Sequence, residues 1–224
     1  MQGTAELKQH GMKKGSHFHP SLQWAAKVIS IVFHPLFVPV YIIQFYLHLS
    51  PTAPFLDPWD KTRLTLSSLV MYSLFPLVTI LLAKALGFVQ TVFLKTQKDR
   101  IIPYIACGLY YFWMWYVLRN QSVYAQELVL LSLAIFISAS GGLIANSYLK
   151  VSMHAISMGV MVTYIYQLAL RTDANFGIWI SLAFFIAGLV STARMINSDH
   201  NQKEIYWGLA IGIIGQIAAY WIVY

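Results

Sequence analysis

Arg194, His200 and Glu204 fall in one short polar stretch, Ala193-Arg-Met-Ile-Asn-Ser-Asp-His-Asn-Gln-Lys-Glu204, between two apolar segments. Together they have the side-chain types for chemistry on an oxyanion. An arginine presents a planar fork that holds a phosphate through paired hydrogen bonds. An imidazole becomes a nucleophile when one ring nitrogen donates to an acceptor and the other keeps its lone pair. His200 and Glu204 are four residues apart, so on a starting helix they share a face and the carboxylate can accept from the ring. Arg194 lies outside that helix, where it can hold an anion in front of the ring.

Two further groups can complete such a site. His154 opens an apolar segment in Lys150-Val-Ser-Met-His154. Beside a nucleophilic histidine it has the chemistry of a general acid, supplying the proton that a departing oxygen needs. Ser152 and the N–H groups of that helix start can take phosphate oxygens. In Lys95-Thr-Gln-Lys-Asp-Arg-Ile-Ile-Pro103 we expect Arg100, then Lys95, to be phosphate ligands. Lys98 reads as the positive flank of a span, and Pro103 as an early residue of the helix that follows. A charge at the bilayer centre costs about 2.5–3.5 kcal/mol, so such a cluster at a span mouth calls for a polar cavity.

The elements around these residues are membrane spans. The chain is 58% hydrophobic and 10% charged, where a soluble domain has about 25% charged residues. A helix needs about 20 apolar residues to cross the hydrocarbon core. Seven stretches meet that measure: Ala25–Leu49, Leu64–Leu86, Ile101–Leu118, Glu127–Leu149, His154–Leu170, Phe176–Thr192 and Ile205–Tyr224. The first holds Lys27, His34, Pro35 and Pro39, which predicts a kinked or partly interfacial segment. The fold class is therefore all-α, a polytopic transmembrane helical bundle of six to seven spans. A polar tail over 1–22 precedes a single domain over 23–224. The tail carries lysines and histidines and no short apolar core, so it does not read as a secretory leader.

Alternation of the spans puts segments 87–100, 150–153 and 193–204 on one side of the membrane, so the three polar groups converge on one face. The net charge of +7 is scattered over span ends, without the basic stripe of a nucleic-acid binder. Cys107 is the single cysteine, which excludes an intrachain disulfide. No metal site is expected, because the histidines lack an HExxH-type arrangement and there is no cysteine pair. Gly208, Gly212 and Gly215 read as helix-packing positions. The run Tyr110–Tyr116 reads as lipid-facing or interfacial anchoring, and His34 as a polar plug in the bundle.

The three groups resemble the motifs of the type-2 phosphatidic acid phosphatase superfamily, which also contains vanadium haloperoxidases. That pattern is Lys-x6-Arg-Pro, then Pro-Ser-Gly-His, then Ser-Arg-x5-His-x3-Asp, and the order is kept over residues 95–204. In the third motif every spacing holds, with Ala193 for the serine and Glu204 for the aspartate. In the second, Val151 and Met153 replace proline and glycine around Ser152 and His154. In the first, Lys95 is too close to Arg100, and Pro103 follows three residues after the arginine. The resemblance implies that Arg194 and Arg100 bind phosphate, His200 is the nucleophile, Glu204 orients it and His154 is the general acid.

The function expected from these residues is an integral-membrane, metal-independent lipid phosphatase working through a phosphohistidine. It needs no cofactor, and its partners are the bilayer and a lipid phosphate substrate. A non-catalytic anionic-lipid binder or assembly protein is one alternative, and a lipid phosphotransferase using the same site is another. Lys8, Lys13, Lys14, Lys27, Lys84, Lys95, Lys98, Arg100, Lys150, Arg194 and Lys203 lie on the site's side. Only Lys61, Arg63, Arg119 and Arg171 lie opposite. By the positive-inside rule this places the site at the cytoplasmic face, and we expect a bacterial inner membrane.

Overall fold

Hydropathy and breaker residues divide the chain into eight helices in a computed structural model that describes residues 18–89, 97–197 and 200–224, with Lys98 described in its backbone alone. In chain order they are α1 Pro20–Val32, α2 Val38–His48, α3 Pro58–Ala85 and α4 Gln97–Arg119. Then follow α5 Gln126–Asn146, α6 Met153–Leu170, α7 Gly177–Ile196 and α8 Gln202–Val223. The described residues form no strand. Six helices, α3 to α8, are long and apolar enough to cross a membrane. Large side chains such as Leu81, Phe184, Phe185 and Trp221 face outward from the bundle. A bilayer, unlike water, accommodates such a surface without cost.

The expected first span, Ala25–Leu49, is instead two short helices. Pro35 lacks a backbone N–H and disfavours a helical residue before it. At the break, His34 Nδ1 accepts from the Leu36 N–H at 3.3 Å. Helices of 13 and 11 residues reach only about 20 and 16 Å, so neither crosses alone. Pro20, Ser21 and Leu22, read above as tail, form the first turn of α1.

α3 contains a π-turn over Val70–Leu74, just before Pro76. The proline ring presses on the carbonyl four residues back, and a widened turn makes room for it. The turn is also anchored. Ser73 Oγ donates to the Leu36 carbonyl at 2.7 Å, and Tyr72 OH donates to Ser132 Oγ at 2.9 Å. The Tyr110–Tyr116 run is only partly lipid-facing. Phe112, Trp113 and Tyr116 are exposed, whereas Tyr111 and Met114 are buried in the core, as the turn of a helix with one face inward requires.

Close packing of α6 on α8 fixes the end of the bundle that holds the three polar groups. A Cβ at Gly208 would meet the Ser152 carbonyl at 2.7 Å and Ala155 Cβ at 2.8 Å. One at Gly212 would collide with the Ile156 carbonyl, and one at Gly159 with the Leu209 carbonyl. Gly215 admits Ser138 of α5 in the same way. These glycines let the two backbones touch, which brings the start of α6 against the start of α8.

Candidate functional site

His200 lies one residue before the cap of α8 and not on the helix itself. Asn201 is the cap: its side-chain oxygen accepts from the Glu204 N–H at 2.9 Å. An asparagine in that position satisfies one of the donors that a helix start leaves open. Glu204 sits in the first turn, and both its oxygens are used. Oε1 accepts from Asn201 Nδ2 at 3.1 Å, and Oε2 pairs with His200 Nδ1 at 2.6 Å. A carboxylate can only accept, so Nδ1 carries the hydrogen and Nε2 keeps the lone pair.

His200 is 8% exposed. Burial first, then the charges of Arg194, Lys150 and Arg100, hold its imidazole down to about 3, against an ordinary 6.5. Glu204 pulls the other way, so burial and the three cations set the direction. The result is a neutral imidazole surrounded by positive charge, the state a nucleophile for an anionic substrate requires.

Each of the three cations comes from a different element. Arg194 is in the last turn of α7. Lys150 is in the turn between α5 and α6. Arg100 belongs to α4, is buried, and donates from Nη1 to the Val151 carbonyl at 2.9 Å. A reciprocal amide pair fixes α4 there: Gln97 Nε2 donates to the Asn146 carbonyl at 3.0 Å and Asn146 Nδ2 to the Gln97 carbonyl at 2.9 Å. Pro103 stands inside this helix, which starts earlier than its position suggested. Lys95 lies outside the described residues.

α6 begins at a serine cap. Ser152 is fully buried, and its hydroxyl oxygen accepts from the Ala155 N–H at 3.4 Å. The hydroxyl hydrogen is left to donate. Its backbone N–H donates to the Glu204 carbonyl at 3.2 Å, which ties the second polar group to the third. His154, two residues on, is buried, and its Nε2 lies 3.0 Å from the Ser30 carbonyl of α1. A carbonyl accepts, so that nitrogen carries the hydrogen.

Three residues from outside the motifs join this end of the bundle. Ser30 holds His154 as described, and its hydroxyl takes a hydrogen bond from Asn197 Nδ2 at 3.2 Å. The His34 ring meets that of His154 edge to face, 5.4 Å between centroids, so this polar residue of the bundle is a neighbour of the site. Ala26 packs with Ala193 and Ile196, which lays α1 along the end of α7. None of these contacts has a local sequence signal, because each joins residues more than a hundred positions apart.

Arg100, Lys150, Ser152, His154, Arg194, His200 and Glu204 thus share one end of the bundle. No protein-family profile, curated protein or solved structure matches the chain.

Proposed function

We propose that the chain is a membrane-embedded phosphatase acting on a lipid phosphate monoester or diphosphate, and a divergent member of the type-2 phosphatidic acid phosphatase superfamily. The observation that carries this reading is His200. Its Nδ1–H is held by Glu204 at 2.6 Å, and Arg194, Lys150 and Arg100 set its surroundings. His200 Nε2 forms a bond to phosphorus as the bond from phosphorus to the lipid oxygen breaks, giving a phosphohistidine. Arg194 and Arg100 hold the non-bridging oxygens and stabilise the charge that builds on them. His154 takes up a second proton as the anionic substrate enters, gives one proton of that imidazolium to the leaving oxygen, then takes one from the water that attacks phosphorus, breaks its bond to His200 and releases phosphate. Before that transfer, the hydrogen bond from His154 to Ser30 has to open. The excess of lysine and arginine on this side supports a cytoplasmic-facing site, and the membrane of this reading is a bacterial inner membrane.

The test is phosphate release by detergent-purified protein over a panel of lipid phosphates, with EDTA present. We expect release by the wild type and none by His200→Ala. Undiminished release by His200→Ala would refute the mechanism. A second reading, a non-catalytic binder of anionic lipid headgroups, is favoured by the engagement of His154 with Ser30. It predicts headgroup binding that depends on Arg194, without release from any lipid.

A further inference from the structure

The end of the bundle remote from His200 holds a cavity of about 320 Å³ between the end of α4, the start of α5 and the end of α8. Leu118, Val129, Leu133 and Ile222 form apolar walls, and Arg119, Gln121 and Ser122 bring polar groups. No aspartate or glutamate lines it. The nearest acid in the chain, Glu127, accepts from Tyr46 OH at 3.2 Å and Tyr224 OH at 3.4 Å. The other two arginines at this end are engaged: Arg63 pairs with Asp60 at 2.8 Å, and Arg171 lies over the Tyr224 ring at 3.6 Å.

Arg119, Trp115 and the start of α5 line the cavity. Arg119 lies 5.3 Å from the centroid of the Trp115 ring and, among the described residues, makes no ion pair. The indole N–H of Trp115, which also lines the cavity, is buried and has no hydrogen-bond partner among the described residues. The first turn of α5 has no side-chain cap, and a 21-residue helix presents a positive dipole end with open N–H groups there.

We propose that this cavity binds the phosphodiester headgroup of an anionic phospholipid in the leaflet opposite the His200 site. Arg119 follows Arg100 by nineteen residues of one helix, about 28 Å along its axis. That is close to the hydrocarbon thickness of about 30 Å, so the guanidinium sits at headgroup depth. The fork grips the phosphate, a turn of the Trp115 ring brings its unpartnered N–H to one of the oxygens, and tryptophan suits the interface where it stands. The volume is at the lower end for ligand sites. It suits a glycerophosphate headgroup whose acyl chains lie on the exposed Phe112, Trp113 and Ile222.

The experiment is native mass spectrometry of the full chain in a non-ionic detergent, titrated with phosphatidylglycerol. Arg119→Gln is expected to weaken one bound lipid at least tenfold, Arg119→Lys less, and Trp115→Phe a few-fold. Arg171→Gln and Arg194→Gln are expected to leave that lipid in place. Equal binding by wild type, Arg119→Gln and Trp115→Phe overturns the proposal. So does a lipid lost in Arg194→Gln but kept in Arg119→Gln, which assigns it to the His200 site. Displacement by millimolar inorganic phosphate overturns the lipid as the source of the anion. A lipid-free melting temperature for Arg119→Gln equal to the wild type shows that any loss is local, and Trp115→Phe decides the matter if that variant does not fold.

Discussion

Gly208→Ala tests whether the touching backbones of α6 and α8 hold the candidate site together. The added methyl would stand 2.7 Å from the Ser152 carbonyl and 2.8 Å from Ala155 Cβ. Relieving the contact to the carbonyl means parting the two helix starts by about 0.7 Å, since carbon and oxygen atoms rest near 3.4 Å or beyond. The nearest obstacle is backbone, so no side chain can rotate away. Overpacking of this kind costs about 1–3 kcal/mol, a fall of about 3–9 °C in melting temperature for a chain of this length. The same displacement strains the bond from the Ser152 N–H to the Glu204 carbonyl and moves His154 relative to His200. Misplacement by about 1 Å at a reacting centre costs roughly a hundredfold, so a ten- to hundredfold loss of turnover is expected. Gly188→Ala is the control. It has open space around it, and alanine favours a helix interior by about 0.5–1 kcal/mol. Thermal unfolding in detergent reads both. A Gly208→Ala protein that melts at or above the wild type would refute the reasoning.

Five other substitutions and one titration separate the remaining claims. Glu204→Gln keeps an acceptor for His200 Nδ1 but removes the charge, and should cost about 1–1.5 kcal/mol, read as roughly tenfold slower phosphate release. A rate equal to wild type would deny Glu204 its role. The His200 imidazole is held at about 3, below its unfolded value of 6.5, so the unfolded chain binds the proton first. Stability is fully present above 6.5 and is lost as pH falls from there towards 3. A His200→Gln variant should lose less on that descent, and Arg194→Gln, which removes a nearby cation, should move the acid limb of turnover to higher pH. An acid limb that stays put in Arg194→Gln would contradict the electrostatic account. Tyr104 OH is buried without a partner among the described residues, whereas Tyr72 OH bonds Ser132. Tyr104→Phe should therefore melt at or above wild type and Tyr72→Phe below it, and the reverse order in a melting comparison counts against this assignment.

The long helices were legible because each carries about twenty apolar residues between polar stops, a signal that needs no tertiary context. The break between α1 and α2 was legible only as a kink, since Pro35 and Pro39 mark strain without fixing how far the chain turns. The π-turn of α3 had no signature beyond Pro76. His200, Glu204 and Arg194 stood out because their spacing is local. The parts played by Ser30, His34 and Asn197 did not, because they depend on where α1 docks. Lys95, weighed as a phosphate ligand, lies outside the described residues, so its expectation stands as it was argued from the sequence.

The course of α8, one of the six long spans among the described residues, has a consequence for topology mapping. Ser30 of α1 bonds His154 and Asn197 at the site end, whereas Tyr224 reaches Glu127 at the other. α8 begins beside His200 and ends at Tyr224, so the two ends of this one span answer to opposite compartments. A reporter enzyme or fluorescent protein fused after Tyr224 reads the compartment facing away from His200. One such fusion assigns the compartment that His200 faces by inversion, from a point a full membrane thickness away and without altering any residue that surrounds the imidazole.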